Sequence, residues 1–194
     1  MPVVRAEGPV AKAGAELAAL ASAVRGCTAC GRSDPTRVFG SGFPRAPVFL
    51  LKDKPSTEDL ASGNALAADA DALAKALDAL GIPLSWTYGT VAVRCGDTDA
   101  SQDELHACSS HLLVELEAVS PRVVVAFGDA AVTALRALDG RCGLRVPDDV
   151  PQGEPVRLRG GLVLLVTERL PDGVRVQRSK RVLWRDLQRL PELL

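Results

Sequence analysis

Two histidines in 194 residues leave little scope for histidine-based catalysis. Basic charge is not in excess either: 23 Lys and Arg face 24 Asp and Glu, a formal net charge of -1. That balance argues against whole-molecule attraction to nucleic acid and leaves only local patches for such work. No apolar run approaches the ~20 residues a membrane-spanning helix needs. The opening MPVVRAEGPVAKAG lacks the apolar core of a secretory signal, so a cytoplasmic location is expected. Neither GxGxxG nor GxxxxGK[ST] occurs, so no motif supports a nucleotide cofactor. Internal repeats and low-complexity linkers are absent as well, and the length suits one domain over residues 1–194.

What is present is the composition of a globular protein, 47% hydrophobic and 24% charged, which excludes a mainly disordered chain. Ala/Leu-rich Gly14–Val24 predicts a short helix. Val48–Leu51, Thr90–Val93, Val123–Phe127 and Leu162–Val166 are apolar runs of strand length. Between them lie helical periodicities. Leu66, Ala70, Leu73, Leu77 and Leu80 share one helix face, with Gly81 as the stop. Ser101 and Glu104 form a capping box before Leu105, Cys108, Leu112, Leu116 and Val119. Asp129 opens a helix to Leu138, and Val182–Leu190 closes the chain, with Trp184 expected in the core. Alternating strands and helices predict a three-layer α/β/α sandwich around a four-stranded, mostly parallel sheet. Its near-continuous apolar strands suit a sheet covered on both faces. Ligands in such folds sit beyond the carboxyl ends of the strands. Here those ends are Lys52–Ser56, Arg94–Cys95, Gly128–Asp129 and Thr167–Arg169.

Five cysteines in a reducing compartment point to metal ligation or buried thiols rather than disulfides. Cys27 and Cys30 form a CxxC pair, Cys95 ends a strand, and Cys108 lies on the apolar face of a capped helix. Soft thiolates suit zinc or an iron–sulfur cluster, and spacing alone does not separate the two. The alternative for Cys95 and Cys108 is an ordinary buried thiol. Cys142 stands outside the pattern as a spare thiol.

Taken in order, these segments resemble the iron–sulfur uracil-DNA glycosylases of the family 4 type. The similarity runs from Cys27 to Leu190 and rests on several quoted pieces. They are Cys27-Thr28-Ala29-Cys30, Arg37-Val38-Phe39-Gly40-Ser41-Gly42-Phe43-Pro44, Val93-Arg94-Cys95, Glu104-Leu105-His106-Ala107-Cys108 and Pro121–Ala131. The resemblance implies a [4Fe–4S] cluster on Cys27, Cys30, Cys95 and Cys108, with zinc as the second choice. It also implies DNA, single-stranded or damaged, as partner, and a monomer.

The catalytic motifs depart from the resembling family. Its first loop, Gly-Glu-(Ala/Gly)-Pro-Gly, is replaced by Lys52-Asp53-Lys54-Pro55-Ser56. Asp53 keeps the acid, and Asp59 takes the place of a second pocket carboxylate. The stacking phenylalanine falls on Leu66, which has no aromatic face for a flipped base. The uracil-reading asparagine falls on Val91, which cannot pair with a base edge. No histidine follows the last strand, where Val166-Thr167-Glu168-Arg169-Leu170-Pro171 stands for the family's His-Pro-Ser. From Val166 onward there are seven Arg or Lys against four Asp or Glu. Arg169, Arg175, Arg178, Lys180 and Arg181 are therefore candidate phosphate contacts, and the resemblance, in which a leucine of this loop fills the vacated base stack, implies Leu170 as a candidate wedge. The expected function is DNA binding with uracil excision lost or strongly reduced. Two alternatives stand beside it: a glycosylase of altered base specificity using Asp53, and an iron–sulfur protein acting through a protein partner.

Overall fold

The computed structural model describes residues 8–32, 36–141 and 144–194. Its strands are β1 (Ser41–Gly42), β2 (Val48–Lys52), β3 (Thr87–Val91), β4 (Val123–Phe127), β5 (Val156–Arg157) and β6 (Val163–Thr167). They form one six-stranded sheet in the order β1-β3-β2-β4-β6-β5. The four long strands run parallel, and the two-residue strands β1 and β5 pair antiparallel at the edges. The expected sheet had four strands. The two additions are too short to show a period of two, and such short strands blunt a sheet edge against further pairing.

Every residue of β2, β3, β4 and β6 is buried. Their side chains divide by parity. Phe49, Leu51, Val124, Ala126, Leu164 and Val166 join one core cluster. Val48, Leu50, Val123, Val125, Phe127, Val163 and Leu165 join a second. Helices α4 (Gln102–Val119) and α5 (Asp129–Arg136) cover the first face. Helices α3 (Ala70–Ala79) and α7 (Gln177–Leu187) cover the second. The remaining helices are α1 (Pro9–Arg25), α2 (Thr57–Ser62), α6 (Leu170–Arg175) and α8 (Leu190–Leu193).

Boundaries move where local chemistry competes with periodicity. Helix α1 starts at Pro9, ahead of the expected Gly14, because proline suits the first helical turn. The helix expected from Leu66 to Leu80 is divided. Its first turn is a 3-10 turn at Ala67–Asp69 and the rest is α3, while α2, ahead of it, starts separately on a Ser56/Asp59 capping box. Strand β3 begins at Thr87, three residues before the expected Thr90, and Ala92 and Val93 still donate to the carbonyls of Lys52 and Asp53. The closing helix begins at Gln177 rather than Val182.

After β2 the chain moves to β3 on one side and then crosses back to β4 on the other. The strand order reverses between β2 and β4, so a cleft is expected at their carboxyl ends.

Candidate functional site

A cleft of about 370 Å³ opens at that reversal point. Its charged lining comes from loops after different strands: Asp53 and Lys54, Asp99, Asp129, and Glu168 and Arg169. Four carboxylates against two cations make the lining acidic. Arg169 donates to Asp53 Oδ2 through Nε at 3.0 Å and Nη2 at 2.7 Å, and its Nη2 lies 3.6 Å from Asp99. Lys54 Nζ lies 2.9 Å from Asp99 Oδ1 and donates to the Asp97 carbonyl at 2.6 Å. The Lys54 hydrogen bond and charge, helped by Arg169, hold the Asp99 carboxyl below its ordinary range.

The backbone permits this crossing at one point. Arg169 lies over Gly128, where a Cβ would come within 2.5 Å of the Arg169 Cγ. Gly128 has φ 84° and ψ 171°, a conformation open essentially to glycine alone.

Lys52 points away from the cleft. Its ammonium, 1% exposed, lies 2.6 Å from Asp59 Oδ2 and 2.8 Å from Asp69 Oδ2, both carboxylates being buried. Asp59 also accepts from the backbone N–H of Ala68 at 2.9 Å and of Ser56 at 2.8 Å. Burial works to raise the Asp59 pKa. The N–H of Ala68, the Lys52 ammonium and the N–H of Ser56 outweigh it and hold the carboxyl below its usual range. Asp59 is thus a structural ion-pair member and does not line the cleft. Leu66 is buried against β3, its Cδ1 2.2 Å from where a Gly89 Cβ would stand. Val91 is also buried, beside Val38 and Ala65. Neither of these two positions lines the cleft.

The four cysteines line one narrow crevice with about 10 Å³ of open space, together with Arg32, Arg37, Arg94 and His111. Cys27 and Cys30 follow α1, Cys95 follows β3, and Cys108 is on α4; Cys95 and Cys108 are buried. Arg32 holds the intervening loop through the carbonyls of Cys95 at 2.9 Å, Thr98 at 3.1 Å and Asp99 at 2.8 Å. The Arg94 guanidinium is buried against Glu115, which also accepts from Tyr88 Oη at 2.9 Å. His111 Nε2 is 3.2 Å from Cys27 Sγ. Burial pushes the Cys95 thiol up to about 11 and raises Cys108, with the nearby arginines pulling each back. Among the described residues, no group of three or more His, Cys, Asp or Glu is arranged to hold a metal ion directly. The chemistry of the donor set, four thiols with three arginines to offset thiolate charge, fits a thiolate-ligated cluster. Cys142 lies outside the described residues.

Two expectations for the last segment are corrected. Leu170 is 0% exposed and packs in the core with Leu183, Leu187 and Leu190, so it does not project as a wedge. Trp184, expected in the core, is 38% exposed, because Leu183, Asp186 and Leu187 occupy the inward face of α7. Arg169 is engaged in the cleft, whereas Arg175, Arg178, Lys180 and Arg181 are exposed along α6 and α7. Two functional neighbours were missed from sequence, Asp69 and Arg32. A lysine at the end of an apolar strand signals that a buried carboxylate must meet it, but not which one.

The family model of the uracil DNA glycosylase superfamily matches residues 39–188. No curated protein matches the chain.

Proposed function

The chain belongs to the uracil DNA glycosylase superfamily, and on that footing we propose a DNA-binding, iron–sulfur member of the family 4 type in which uracil excision is lost or strongly reduced. The observation that carries this reading is the Lys52–Asp59–Asp69 cluster at the end of β2. The resembling family has a glycine where Lys52 stands, which lets backbone approach a ligand closely. Here that glycine is gone, and the side chain in its place turns away from the cleft to be buried between two carboxylates. The positions that would read and stack the base, Val91 and Leu66, are buried apolar groups.

Cys27, Cys30, Cys95 and Cys108 would hold the cluster. When bound, the group supplies ligand bonds that fasten the segment after α1 to the sheet. Arg32 holds the loop after Cys95 in place beside it. The exposed cations of α6 and α7 supply phosphate contacts, and the protein works in the cytoplasm as a monomer; no helix of the described residues is long and apolar enough to cross a membrane.

A second reading, a glycosylase of altered base specificity, is favoured by one observation: Asp53 lines the cleft and touches Arg169. A carboxylate there would orient water or stabilise an oxocarbenium ion, and Arg169 would offset charge on a departing base.

Single-turnover assays on single-stranded and U:G duplex DNA, beside a panel of modified-base and abasic DNAs, test both. Binding without uracil release is expected, since losing a positioned charge stabiliser alone costs about 10²–10³ in rate. Rapid uracil release abolished by Asp53→Asn would overturn the main reading. Release of another base abolished by the same change would establish the second.

A further inference from the structure

Helix α7 carries a surface that the cleft does not use. Between residues 175 and 189 stand six cationic side chains, all exposed, and one carboxylate, Asp186, which is buried. The inner face of α7 is Leu183, Asp186 and Leu187. Positions three and four apart share a helix face, so the outward face groups Lys180, Arg181, Trp184 and Gln188, with Arg178 and Arg185 alongside. Among the described residues no ion pair engages Arg178, Lys180 or Arg181. Trp184 therefore stands half-exposed in the middle of a cationic field, although the molecule as a whole carries -1.

The helix is keyed to the cleft wall. Thr167 Oγ1, at the end of β6, donates to Asp186 Oδ2 at 2.7 Å, and Arg185 closes over the other carboxylate oxygen at 2.7 Å. Thr167 also lines the cleft. The rotation of α7, and with it the outward setting of the cationic face, is thus fixed by a contact to the end of β6.

We infer that the outward face of α7 is a binding platform for an unpaired nucleic-acid strand, on which Trp184 stacks one base while Lys180 and Arg181 hold the flanking phosphates. The chemistry is that of sequence-tolerant single-strand recognition, in which an aromatic face takes the base and a basic track takes the backbone. A duplex keeps its bases stacked on each other and gives Trp184 nothing to stack on. The inference rests on the DNA-binding reading above and deepens it by naming the strand state and the stacking residue.

The chain has two tryptophans, so a Trp86→Phe protein retains Trp184 as its sole indole reporter. Titration with an oligothymidine should quench that emission, whereas a duplex of equal length should not. Trp184→Ala should weaken oligothymidine binding about tenfold, and Trp184→Phe should keep most of it, which separates stacking from helix damage. Arg181→Gln should reduce the salt slope by about 0.7, the value for one phosphate on a single strand. Oligothymidine bound with unchanged Trp184 emission and full affinity in Trp184→Ala would overturn the platform while leaving DNA binding intact. No DNA binding at low salt would overturn both. A Trp184 response to phosphatidylserine vesicles but not to DNA would assign the face to an anionic membrane surface instead.

Discussion

Arg169 and Asp53, 116 residues apart in sequence, meet at 2.7 Å across the end of β4. The pair joins the loop after the last parallel strand to the loop after the first. Arg169 reaches Asp53 only by lying over Gly128, so a glycine on a third strand end decides whether this contact forms.

Gly128→Ala should therefore destabilise the fold more than loss of the ion pair does. The Arg169–Asp53 pair, whose guanidinium is solvent-screened while the carboxylate is buried, contributes about 1 kcal/mol. A side chain at φ 84°, ψ 171° costs about 1–3 kcal/mol from backbone strain alone. Urea denaturation of Gly128→Ala, Arg169→Ala and the double variant would resolve the two effects. The double variant should recover the collision between Cβ and Arg169 but not the backbone strain. Full recovery would mean that the backbone conformation carries no strain.

The Lys52–Asp59–Asp69 cluster should shape the acid limb of stability. The Asp59 pKa is lowered in the folded state from the ordinary 3.8. Its stabilisation is thus fully present above pH 3.8 and is lost as pH falls through the lower folded value. Asp59→Asn should cost about 3–5 kcal/mol near neutrality, as expected when one partner of a buried pair is removed, and should lose that part of the acid limb. Lys52→Met should reverse the trend. Asp59, buried without its cation, favours protonation, so that variant should gain stability as pH falls from neutrality toward 5. Thermal melts across pH check this, and parallel profiles for Lys52→Met and wild type would rule it out.

Protein purified without oxygen should be brown and carry about four irons per chain. Cys108→Ala should lose most of that iron, and chelation should lower the melting temperature, because metal binding to the folded chain is folding free energy. Colourless protein with one zinc would replace the cluster by zinc at the same four cysteines. Iron content unchanged in Cys108→Ala would remove Cys108 from the ligand set.

Reversing Arg175, Arg178 and Arg181 to Glu should weaken DNA binding strongly and flatten its salt dependence, because fewer counterions are released. Fluorescence anisotropy at two or more salt concentrations measures both. Unchanged slope with unchanged affinity would move the phosphate contacts elsewhere.

Sequence alone determined the framework and the cysteine pattern. Val123–Phe127 and Val48–Leu51 are legible as strands because both faces of the sheet are covered, which demands continuous apolar runs. The Ser101/Glu104 box is legible because capping is a contact over three residues. The superfamily was legible too, from ordered motifs that the match over residues 39–188 supports at that level. Only the tertiary structure decided which charges meet. Lys52 could have faced solvent, but Asp69, 17 residues away, arrives on the turn before α3 and makes its burial tolerable. Trp184 went outward because Leu183, Asp186 and Leu187 take the inner face of α7, and Leu170, at the start of α6, went inward to pack with Leu183, Leu187 and Leu190. Periodicity reports that a helix has an inside. Which residue lies there, and which carboxylate answers a buried ammonium, depends on neighbours that only folding brings together.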